Sequence, residues 1–505
     1  MSTTMNAVLS LLAIQGLLGG FDTFWHHEIE CNLPHEPSAR RELTLHAARE
    51  LLYAVIFSSA AWLRWEGTWA FAFIAILAVE IIITLADFVE EDRSRRLPPL
   101  ERVVHTILAL IYGASLALWA PALIHSAQAP TGFSLVYYGT WSWLLSLFAI
   151  GVLAWGVRNL TAAMRLGMPG RRRFPMHAGN AANPRVVLVT GATGFVGRAL
   201  TRALVERGDR VIVLSRRPRH ACDLFGPLVQ VCGAVADIAA HRRIDAIVNL
   251  AGAPVMGGWW TNARRRRLVG SRVQTTEQLL DLIQRLQRKP SVLVNASAIG
   301  FYGERGNELL LEDSGESTGF LSGLCQQWEA AAVRAESFGV RVCRLRIGLV
   351  LGKAGGALRP LALATRCGGA AVLGNGRQWV SWIHLRDLVR MIEHAIDDED
   401  IDGAVNAVAP RAVEQQQFMR TLALTLHRPL LLRIPAWVLR ALAGEMSDLF
   451  LISQRVVPER ITQSGFQFEH PKLSDALRDI LPARNWRVSP DPGNREPNMR
   501  PPLGG

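Results

Sequence analysis

The segment Arg185–Leu200, RVVLVTGATGFVGRAL, constrains the fold more than any other part of the chain. Its β-branched start is too short for a helix and is typical of a buried parallel strand. Gly191, Gly194 and Gly197 follow at G-x-x-G-x-x-G spacing, which permits a tight turn, a close approach of backbone N–H groups to a pyrophosphate and close helix packing. The pattern therefore predicts a strand, a turn and a helix whose N-terminus faces the phosphates of a dinucleotide.

The next apolar strand indicates which dinucleotide binds. An enzyme that uses NAD commonly places an acidic residue after this strand, where it binds the ribose hydroxyls. Here Val211–Leu214 is followed by Ser215, Arg216 and Arg217. No carboxylate would repel a 2′-phosphate, and two guanidiniums can pair with it, so NADP(H) is favoured. The alternative is a solvated basic turn, which does not account for the missing acid.

The first 160 residues carry long apolar runs, whereas the remainder alternates short strands with amphipathic helices. A helix needs about 20 apolar residues to cross a bilayer. Four runs have roughly that length, and a fifth, near the N-terminus, is shorter and lacks the features of a cleavable signal peptide. In chain order they are Met5–Phe21 (the short one), Thr44–Leu63, Trp69–Val89, Val103–Ile124 and Leu135–Val157.

Arginine placement predicts the orientation of these spans. The net charge of +12 comes almost wholly from Arg, and arginines fill the loop 93–102 and follow Arg158, whereas the loop around Pro130 is uncharged. The positive-inside rule puts both basic segments in the cytoplasm, which predicts a multi-pass inner or plasma membrane protein with a cytoplasmic nucleotide-binding domain. Membrane lipids account for the basic charge, and no nucleic-acid recognition motif is present. The six scattered cysteines indicate reduced thiols.

Ionisable residues crowd the predicted cytoplasmic edge of the membrane region. Histidine and carboxylate ligands suit several transition metals, so a metal or haem site is one interpretation. Interfacial His and Glu can equally contact headgroups and water, and no segment has a defined ligand motif, so we assign no metal site from sequence. Two further acidic residues, Glu80 and Asp87, lie inside a predicted span, and His105 begins the next long one. The residues at the edge are Asp22, His26, His27, Glu28, Glu30, His35, Glu42, His46 and Glu50.

Strands and helices alternate from Arg185 onward, which predicts a doubly wound parallel sheet with right-handed crossovers and ligands at its switch point. The fold class is an α-helical membrane bundle followed by an α/β Rossmann domain and a small α-rich C-terminal substrate domain. The predicted boundaries are 1–165 for the membrane region, 166–184 for a Gly-, Pro- and Arg-rich linker, 185–405 for the Rossmann domain, 406–485 for the C-terminal domain and 486–505 for a disordered Pro-rich tail.

The second half resembles the extended short-chain dehydrogenase/reductases, and more closely their epimerase-like subfamily of sugar-nucleotide epimerase type. The broad resemblance rests on TGATGFVG at 190–197, NLAG at 249–252, SAIGFYG at 297–303 and WIHLRDL at 382–388. The closer one rests on SRVQTT at 271–276, CQQWEAAA at 325–332, RIGLVLGKAGGAL at 346–358, GNGRQWVSWIHLRDL at 374–388 and GEMSDLFLISQRVVP at 444–458.

The resemblance implies roles around the cofactor. The three glycines would hold the pyrophosphate together with the loop N–H groups of Thr193 and Phe195. Arg216 would bind the 2′-phosphate. Asp237 would face the adenine, and Ala251 and Gly252 would line the rest of the dinucleotide path.

One departure from the family concerns proton transfer. These enzymes use Tyr in a Y-x-x-x-K motif, whose Lys lowers the pKa of the Tyr and anchors the nicotinamide ribose. With Glu329 as the anchor of the alignment, the expected Tyr and Lys fall at Leu321 and Cys325, and no Y-x-x-x-K occurs in the chain. Loss of an acid/base group costs about two to four orders of magnitude in rate.

Four residues near the predicted switch point are candidate substitutes. Ser297 falls where the family places a catalytic hydroxyl, and we select it with Tyr302 for substrate contact. The structural alternatives are a strand-end cap for Ser297 and a packed ring with a bonded hydroxyl for Tyr302. Glu304 could be a solvated loop residue, and His384 a helix-start residue beside Asp387.

Two functions follow for a chain of this kind. The first is a membrane-tethered, NADP(H)-binding epimerase-like oxidoreductase acting on a small molecule, lipid-soluble or envelope-related. The second is a non-catalytic NADP(H) sensor that regulates the membrane bundle, which the missing Tyr and Lys favour. A third interpretation, a metal-dependent redox module in the membrane half, rests on its His and Glu residues alone. The sequence does not identify the substrate or the oligomeric state.

Overall fold

A computed structural model describes residues 3–23, 39–94, 99–167, 184–256 and 259–481 of the chain. Almost all of the predicted linker 166–184 and the whole predicted tail 486–505 lie outside these ranges. The same holds for His26, His27, Glu28, Glu30 and His35 of the N-terminal polar cluster.

Within the described residues, the N-terminal region forms five long helices and one short antiparallel strand pair. The strands pair from Leu63 opposite Leu135 to Glu66 opposite Gly132. Aromatic rings pack around this pair, with the Trp65 and Phe133 centroids 5.2 Å apart. The elements are α1 (Thr3–Asp22), α2 (Arg40–Trp62), β1 (Leu63–Glu66), α3 (Thr68–Ser94), α4 (Pro99–Ala127), β2 (Gly132–Leu135) and α5 (Thr140–Gly167).

Four of these helices, α1, α3, α4 and α5, are long and apolar enough to cross a membrane. They contain three of the five predicted runs in full, including the short one at Met5–Phe21. The run Thr44–Leu63 forms a helix as well, but α2 is not among the four because it contains charged residues such as Glu42 and Arg49. In the run predicted to begin at Leu135, the helix starts only at Thr140, and Leu135 itself is the last residue of β2.

A seven-stranded parallel sheet follows, as the sequence predicts. Its strand order is β14-β9-β7-β6-β3-β4-β5, and β3 pairs in parallel with both β4 and β6. The strand order therefore reverses at β3, which is the switch point of a doubly wound fold. The elements from β3 to β7 are β3 (Val186–Thr190), α6 (Phe195–Arg207), β4 (Arg210–Leu214), α7 (Pro218–Phe225), β5 (Val229–Cys232), β6 (Ala246–Asn249), α8 (Asn262–Arg285) and β7 (Val292–Ala298).

The central strands are buried on both faces because helices cover a parallel sheet on both sides. Every residue of β3 is buried. Leu188 at its centre packs in one apolar cluster with Ile247 of β6, Leu293 of β7 and Ile283 of α8. Burial of such side chains supplies about 1.5–3 kcal/mol each, so this cluster fixes where the ends of the strands lie.

The chain divides into two compact units. The first comprises Met1–Ala296, Gln327–Arg344 and Ala395–Gly403, and the second comprises Ser297–Gln326, Leu345–His394 and the residues from Ala404 onward. The remaining elements are β8 (Leu309–Leu310), α9 (Phe320–Val333), β9 (Arg341–Ile347), β10 (Leu349–Leu351), α10 (Leu358–Arg366), β11 (Ala371–Leu373), β12 (Trp379–Val380), β13 (Trp382–His384), α11 (Leu385–Asp397), β14 (Gly403–Ala407), β15 (Val413–Glu414), α12 (Gln415–Thr425), β16 (Leu432–Ile434), α13 (Ala436–Ala443), α14 (Asp448–Leu451), β17 (Arg455–Val456), α15 (Glu459–Gln463) and α16 (Leu473–Ile480).

The second unit has its own core. Trp382 of β13 is fully buried. It packs with Leu358 of α10, Phe418 of α12 and Leu477 of α16. Helix α13 begins directly after Pro435. The described part therefore agrees with the predicted fold class, while the domain boundaries drawn from sequence stay predictions.

Candidate functional site

The glycine-rich turn has the geometry of a phosphate-binding loop. Gly191 adopts φ +68°, a backbone conformation that residues other than glycine rarely adopt. The Gly194 N–H donates to the Gly191 carbonyl oxygen at 2.9 Å, which closes the turn. A Cβ atom on Gly197 would collide with that same carbonyl oxygen, so only glycine lets α6 approach the turn this closely.

Helix α6 begins at Phe195, directly after this turn. Its first N–H groups have no acceptor within the helix, so they are available to an anion and the helix dipole favours one there. The Arg198 Nε donates to the Thr193 carbonyl oxygen at 2.7 Å and holds the loop in place. Arg198 is not among the site residues predicted from the sequence, although a long basic side chain directly after the last glycine was the available signal.

The loop after β4 presents two exposed guanidiniums. The Ser215 N–H donates to the Cys232 carbonyl oxygen at 3.0 Å, and the Ser215 hydroxyl accepts from the Arg217 N–H at 3.2 Å, so the loop backbone is fixed. The guanidiniums of Arg216 and Arg217 form no hydrogen bond or ion pair with any residue that the structure describes. Two cations held by an ordered loop and not neutralised by protein are suited to a phosphate monoester.

Asp237 lies in the short turn after β5, where its carboxylate accepts hydrogen bonds from two backbone N–H groups. Its Oδ2 accepts hydrogen bonds from the N–H groups of Gly233 at 3.1 Å and Ala234 at 2.8 Å. The side chain is exposed and stabilises the turn Val235–Asp237. Its contact with the adenine stays a prediction.

A buried polar network connects the ends of β3 and β6 with the middle of β7. Asn249 accepts from the Thr190 hydroxyl at 2.6 Å and donates to the Asn295 carbonyl oxygen Oδ1 at 2.7 Å and to the Thr276 hydroxyl at 2.9 Å. All four residues are buried. Satisfied buried networks are rigid, so this one fixes the register of three strands beside the glycine turn. The signal in the sequence was a polar residue ending each apolar strand.

The loop after β6 is held against α8 by an arginine. A Cβ on Gly252 would lie 2.9 Å from the Arg272 Cζ, so a side chain at this position would displace the guanidinium. Arg272 donates to the carbonyl oxygens of Leu268 at 3.0 Å and Ala253 at 3.2 Å. Ala251 and Gly252 are thus presented at the switch point, on the loop that also touches the glycine turn through Leu250.

In the second unit, Tyr302 is fully buried. Its hydroxyl donates to the Asn406 Oδ1 at 2.7 Å and accepts from the Arg346 guanidinium at 2.9 Å. Burial raises the pKa of Tyr302 above its ordinary value, although the Arg346 cation opposes this. The geometry matches the packed ring with a bonded hydroxyl and favours a positioning role for Tyr302, while its substrate contact stays a prediction.

Arg346 and Glu312 complete this polar cluster. The Arg346 guanidinium lies 3.6 Å from the centre of the Phe301 ring and donates to the Glu312 carbonyl oxygen at 3.0 Å. Glu312 accepts from the Asn406 N–H at 3.1 Å, and burial raises its pKa. The SAIGFYG segment is therefore tied to three other chain segments of the second unit. Ser297, at the end of β7, is 3% exposed.

The positions that replace the Tyr–Lys pair lie beside SAIGFYG. The Cβ of Leu321 and the Sγ of Cys325 would lie 3.5 and 3.9 Å from a Cβ on Gly300. Cys325 is buried and Leu321 is half-buried. Leu321 and Cys325 therefore lie next to the SAIGFYG segment, and neither supplies the phenol or the ammonium group of the Tyr–Lys pair.

Glu304 and His384 both have structural partners. The Glu304 carboxylate accepts from the N–H groups of Gly306 at 3.0 Å and Ser453 at 2.6 Å. His384 accepts from the Arg386 N–H at 3.2 Å and stacks on His470 with ring centroids 3.8 Å apart. Burial, followed by the neighbouring His470, lowers the pKa of His384. Both residues stabilise loops of the second unit.

Two family models match the second half of the chain. The NAD dependent epimerase/dehydratase family matches residues 187–407. A domain of unknown function, DUF1731, matches residues 434–480. The first match spans the sheet from β3 to β14, and the second covers the small C-terminal elements that follow.

Individual proteins are similar over the same extent of chain. The chloroplastic epimerase family protein SDR39U1 homolog of Arabidopsis thaliana is 36% identical over 322 residues, which is 62% of this chain and 92% of that protein. Epimerase family protein YfhF of Bacillus subtilis is 36% identical and covers 59% of this chain and 98% of its own length. The crystal structure of human epimerase family protein SDR39U1 with NADPH has 32% identity and a TM-score of 0.54, covering 59% of this chain and 99% of that one.

Proposed function

Because the chain belongs to the NAD-dependent epimerase/dehydratase family, we propose that it is a membrane-anchored, NADP(H)-dependent oxidoreductase or epimerase-like enzyme. One observation carries the proposal. A closed glycine turn opens α6, and two guanidiniums without protein partners in the described chain follow β4 where an NAD enzyme has an acid. The human relative crystallised with NADPH supports the same cofactor.

The residues of the first unit would bind the cofactor in three places. The turn of Gly191, Gly194 and Gly197, with the N–H groups that open α6, suits the pyrophosphate. Arg216 and Arg217 suit the 2′-phosphate. The loop of Ala251 and Gly252 lines the switch point, where the dinucleotide crosses the sheet edge.

When bound, NADP(H) supplies or accepts a hydride at its nicotinamide ring. Ser297 would hold the substrate oxygen by a hydrogen bond, and the proton would pass between that oxygen and a group of the substrate or solvent. The buried cluster of Tyr302, Arg346 and Asn406 would position the segment that carries Ser297. Such an enzyme works without the Tyr–Lys pair, so its turnover is expected to be slow.

The four candidate spans and the basic loops support a place in the membrane. By the positive-inside rule, the segments that follow α5 lie on the cytoplasmic side of the inner or plasma membrane. An anchored active site suits a small substrate that is lipid-soluble or envelope-related. A reporter that is active only in the cytoplasm, fused after Arg173, tests the orientation.

A second function is favoured by one specific observation, the apolar pair at the usual proton-transfer position. With Leu321 and Cys325 beside Gly300, the domain could bind NADP(H) without turnover. The protein would then be a sensor whose occupancy regulates the membrane region.

Hydride exchange distinguishes the two functions. The full chain, purified in detergent, is supplied with NADPH carrying deuterium at C4 and with a membrane extract, and the label is followed into products. We expect transfer by wild type and a loss of about 100-fold or more in Ser297→Ala, with NADPH affinity unchanged. NADPH binding without label transfer would replace the enzyme proposal with the sensor.

A further inference from the structure

The N-terminal helices bring seven buried ionisable side chains to one end of the bundle. They lie near the C-terminal ends of α1 and α3 and near the N-terminal ends of α2 and α4. Each is at most 5% exposed, which is rare for these residue types unless they are paired or bind a metal. The residues are Asp22 of α1, Glu42 and His46 of α2, Asp87 and Glu91 of α3, and Glu101 and His105 of α4.

Six of these side chains form two triads with metal-ligand geometry. In the first, Asp22, Glu101 and His105 place one ligand atom each within 4.8 Å of the others. In the second, Glu42, His46 and Glu91 do the same. Each triad combines one imidazole with two carboxylates, a donor set that suits first-row transition metals.

Glu91 connects the two triads. Its Oε1 lies 3.3 Å from the His46 Nε2, and its Oε2 lies 3.3 Å from the His105 Nδ1. The other nitrogen of that ring, Nε2, lies 3.0 Å from the Asp22 Oδ2. A ligating histidine commonly donates its second N–H to a carboxylate, and Glu91 is placed to accept it while facing the other triad.

The same ligand pattern occurs on two helices. Glu42 and His46 of α2, and Glu101 and His105 of α4, share Glu-x-x-x-His spacing. A separation of four residues puts both side chains of a pair on one helix face. Dinuclear carboxylate sites in helical bundles pair a Glu with a His three residues further on, also on one helix face, and take further carboxylates from the other helices.

Asp87 gives a separate indication that this end of the bundle binds a cation. It is fully buried, and its Oδ2 lies 3.1 Å from the His46 Nε2 and 2.7 Å from the Arg49 guanidinium. Its Oδ1 has no hydrogen-bond partner within the described residues. A buried carboxylate oxygen without a partner is costly, and a metal ion or metal-bound water beside His46 would satisfy it.

We propose that the two triads bind a pair of divalent first-row transition-metal ions, one ion per triad, linked through Glu91. The carboxylate-rich donor set favours manganese or iron over copper. The site belongs to the helical region alone and does not depend on the nucleotide-binding domain.

Metal analysis of the full chain in detergent tests the site. The apoprotein is loaded separately with Mn(II), Fe(II) or Zn(II), passed through a desalting column and analysed for bound metal and protein. We expect two manganese ions per chain, one for each triad, with a spin-coupled electron paramagnetic resonance spectrum. Retention of none of the three metals would overturn the proposal.

Isosteric variants assign the ligands. Glu42→Gln and Glu101→Gln should each lose about one ion and the spin coupling, because each removes a ligand from one triad. Glu91→Gln should lose at least one ion and the coupling. Glu90→Gln is the matched control, since Glu90 is the neighbouring residue on α3, is partly exposed and pairs with Arg41 at 3.5 Å.

Folding is checked by monodispersity on size exclusion. If a monodisperse Glu42→Gln, Glu101→Gln double variant retained as much metal as wild type, the clusters would be His–carboxylate ion pairs and the proposal would be wrong. Equal metal loss in Glu90→Gln and Glu91→Gln would contradict it as well.

Discussion

Gly191 and Leu250 approach so closely that a Cβ on the glycine would lie 2.5 Å from the leucine carbonyl oxygen. The two residues follow β3 and β6, the strands on either side of the point where the sheet order reverses. The contact therefore joins the phosphate turn to the loop that lines the switch point. One backbone conformation, which residues other than glycine rarely adopt, therefore sets the geometry of the proposed cofactor site.

Gly191→Ala should abolish or severely weaken NADPH binding. The new Cβ meets backbone on the neighbouring loop, and the positive φ adds strain of about 1–3 kcal/mol. Isothermal titration with NADPH measures the affinity. Gly270→Ala on α8 is the control, because its Cβ would make only ordinary contacts at 3.6 Å with Gln274. Unchanged affinity in Gly191→Ala would show that the turn does not hold the pyrophosphate.

The double variant Arg216→Asp, Arg217→Ala should lose the preference for NADPH over NADH. Hydrogen bonds to charged groups contribute about 1.5–3 kcal/mol each, so the ratio of the two affinities should fall at least tenfold. Arg210→Ala removes an exposed arginine from the first residue of β4, away from the loop, and should leave the ratio as in wild type. An unchanged ratio in the double variant would place the 2′-phosphate elsewhere.

Asn249→Ala should destabilise the nucleotide-binding domain by about 2–4 kcal/mol, because it leaves buried partners on Thr190, Thr276 and Asn295 unsatisfied. Thermal unfolding with and without NADPH measures the change. Ser291→Ala at the start of β7 removes an exposed hydroxyl bonded to Asp245 and should cost far less. Equal effects of the two variants would mean that the network contributes little rigidity.

The second unit should lose stability when the pH falls below about 6.5. Burial and His470 lower the pKa of His384 below its value of 6.5 in an unfolded chain, so the unfolded state binds the proton more readily. The stability is complete above pH 6.5 and decreases as the pH falls toward the lower pKa of the folded state. Thermal midpoints measured between about pH 7.5 and 5 should fall less steeply in His384→Gln than in wild type. Parallel pH profiles would exclude His384 as the source.

Much of the fold could be predicted from local sequence patterns. The apolar strands VVLV, VIVL and DAIVNL and the glycine triplet carry strong signals, and the structure confirms the parallel sheet with β3 at its switch point. Long apolar runs likewise predicted the helices of the first 167 residues. Charged residues visible in the sequence separate α2 from the other four helices, but the sequence does not reveal that Glu42 among them is buried.

Interactions between distant residues could not be predicted. Tyr302 and Asn406 are 104 positions apart, and only the fold shows that the tyrosine hydroxyl is buried between Asn406 and Arg346. Similarly, His46 and Glu91 are 45 positions apart, so their helices had to be placed before a ligand cluster became visible. Periodicity indicates which face of an element is buried but not which buried polar groups meet.

Titration of the purified full chain with NADPH and with NADH tests the central claim most directly. The glycine turn and the guanidiniums of Arg216 and Arg217 predict saturable binding of NADPH, at least tenfold tighter than that of NADH, consistent with a charge-assisted contact to the 2′-phosphate. Equal affinities would contradict the assignment of NADP(H), and no binding of either nucleotide would contradict the dinucleotide site itself.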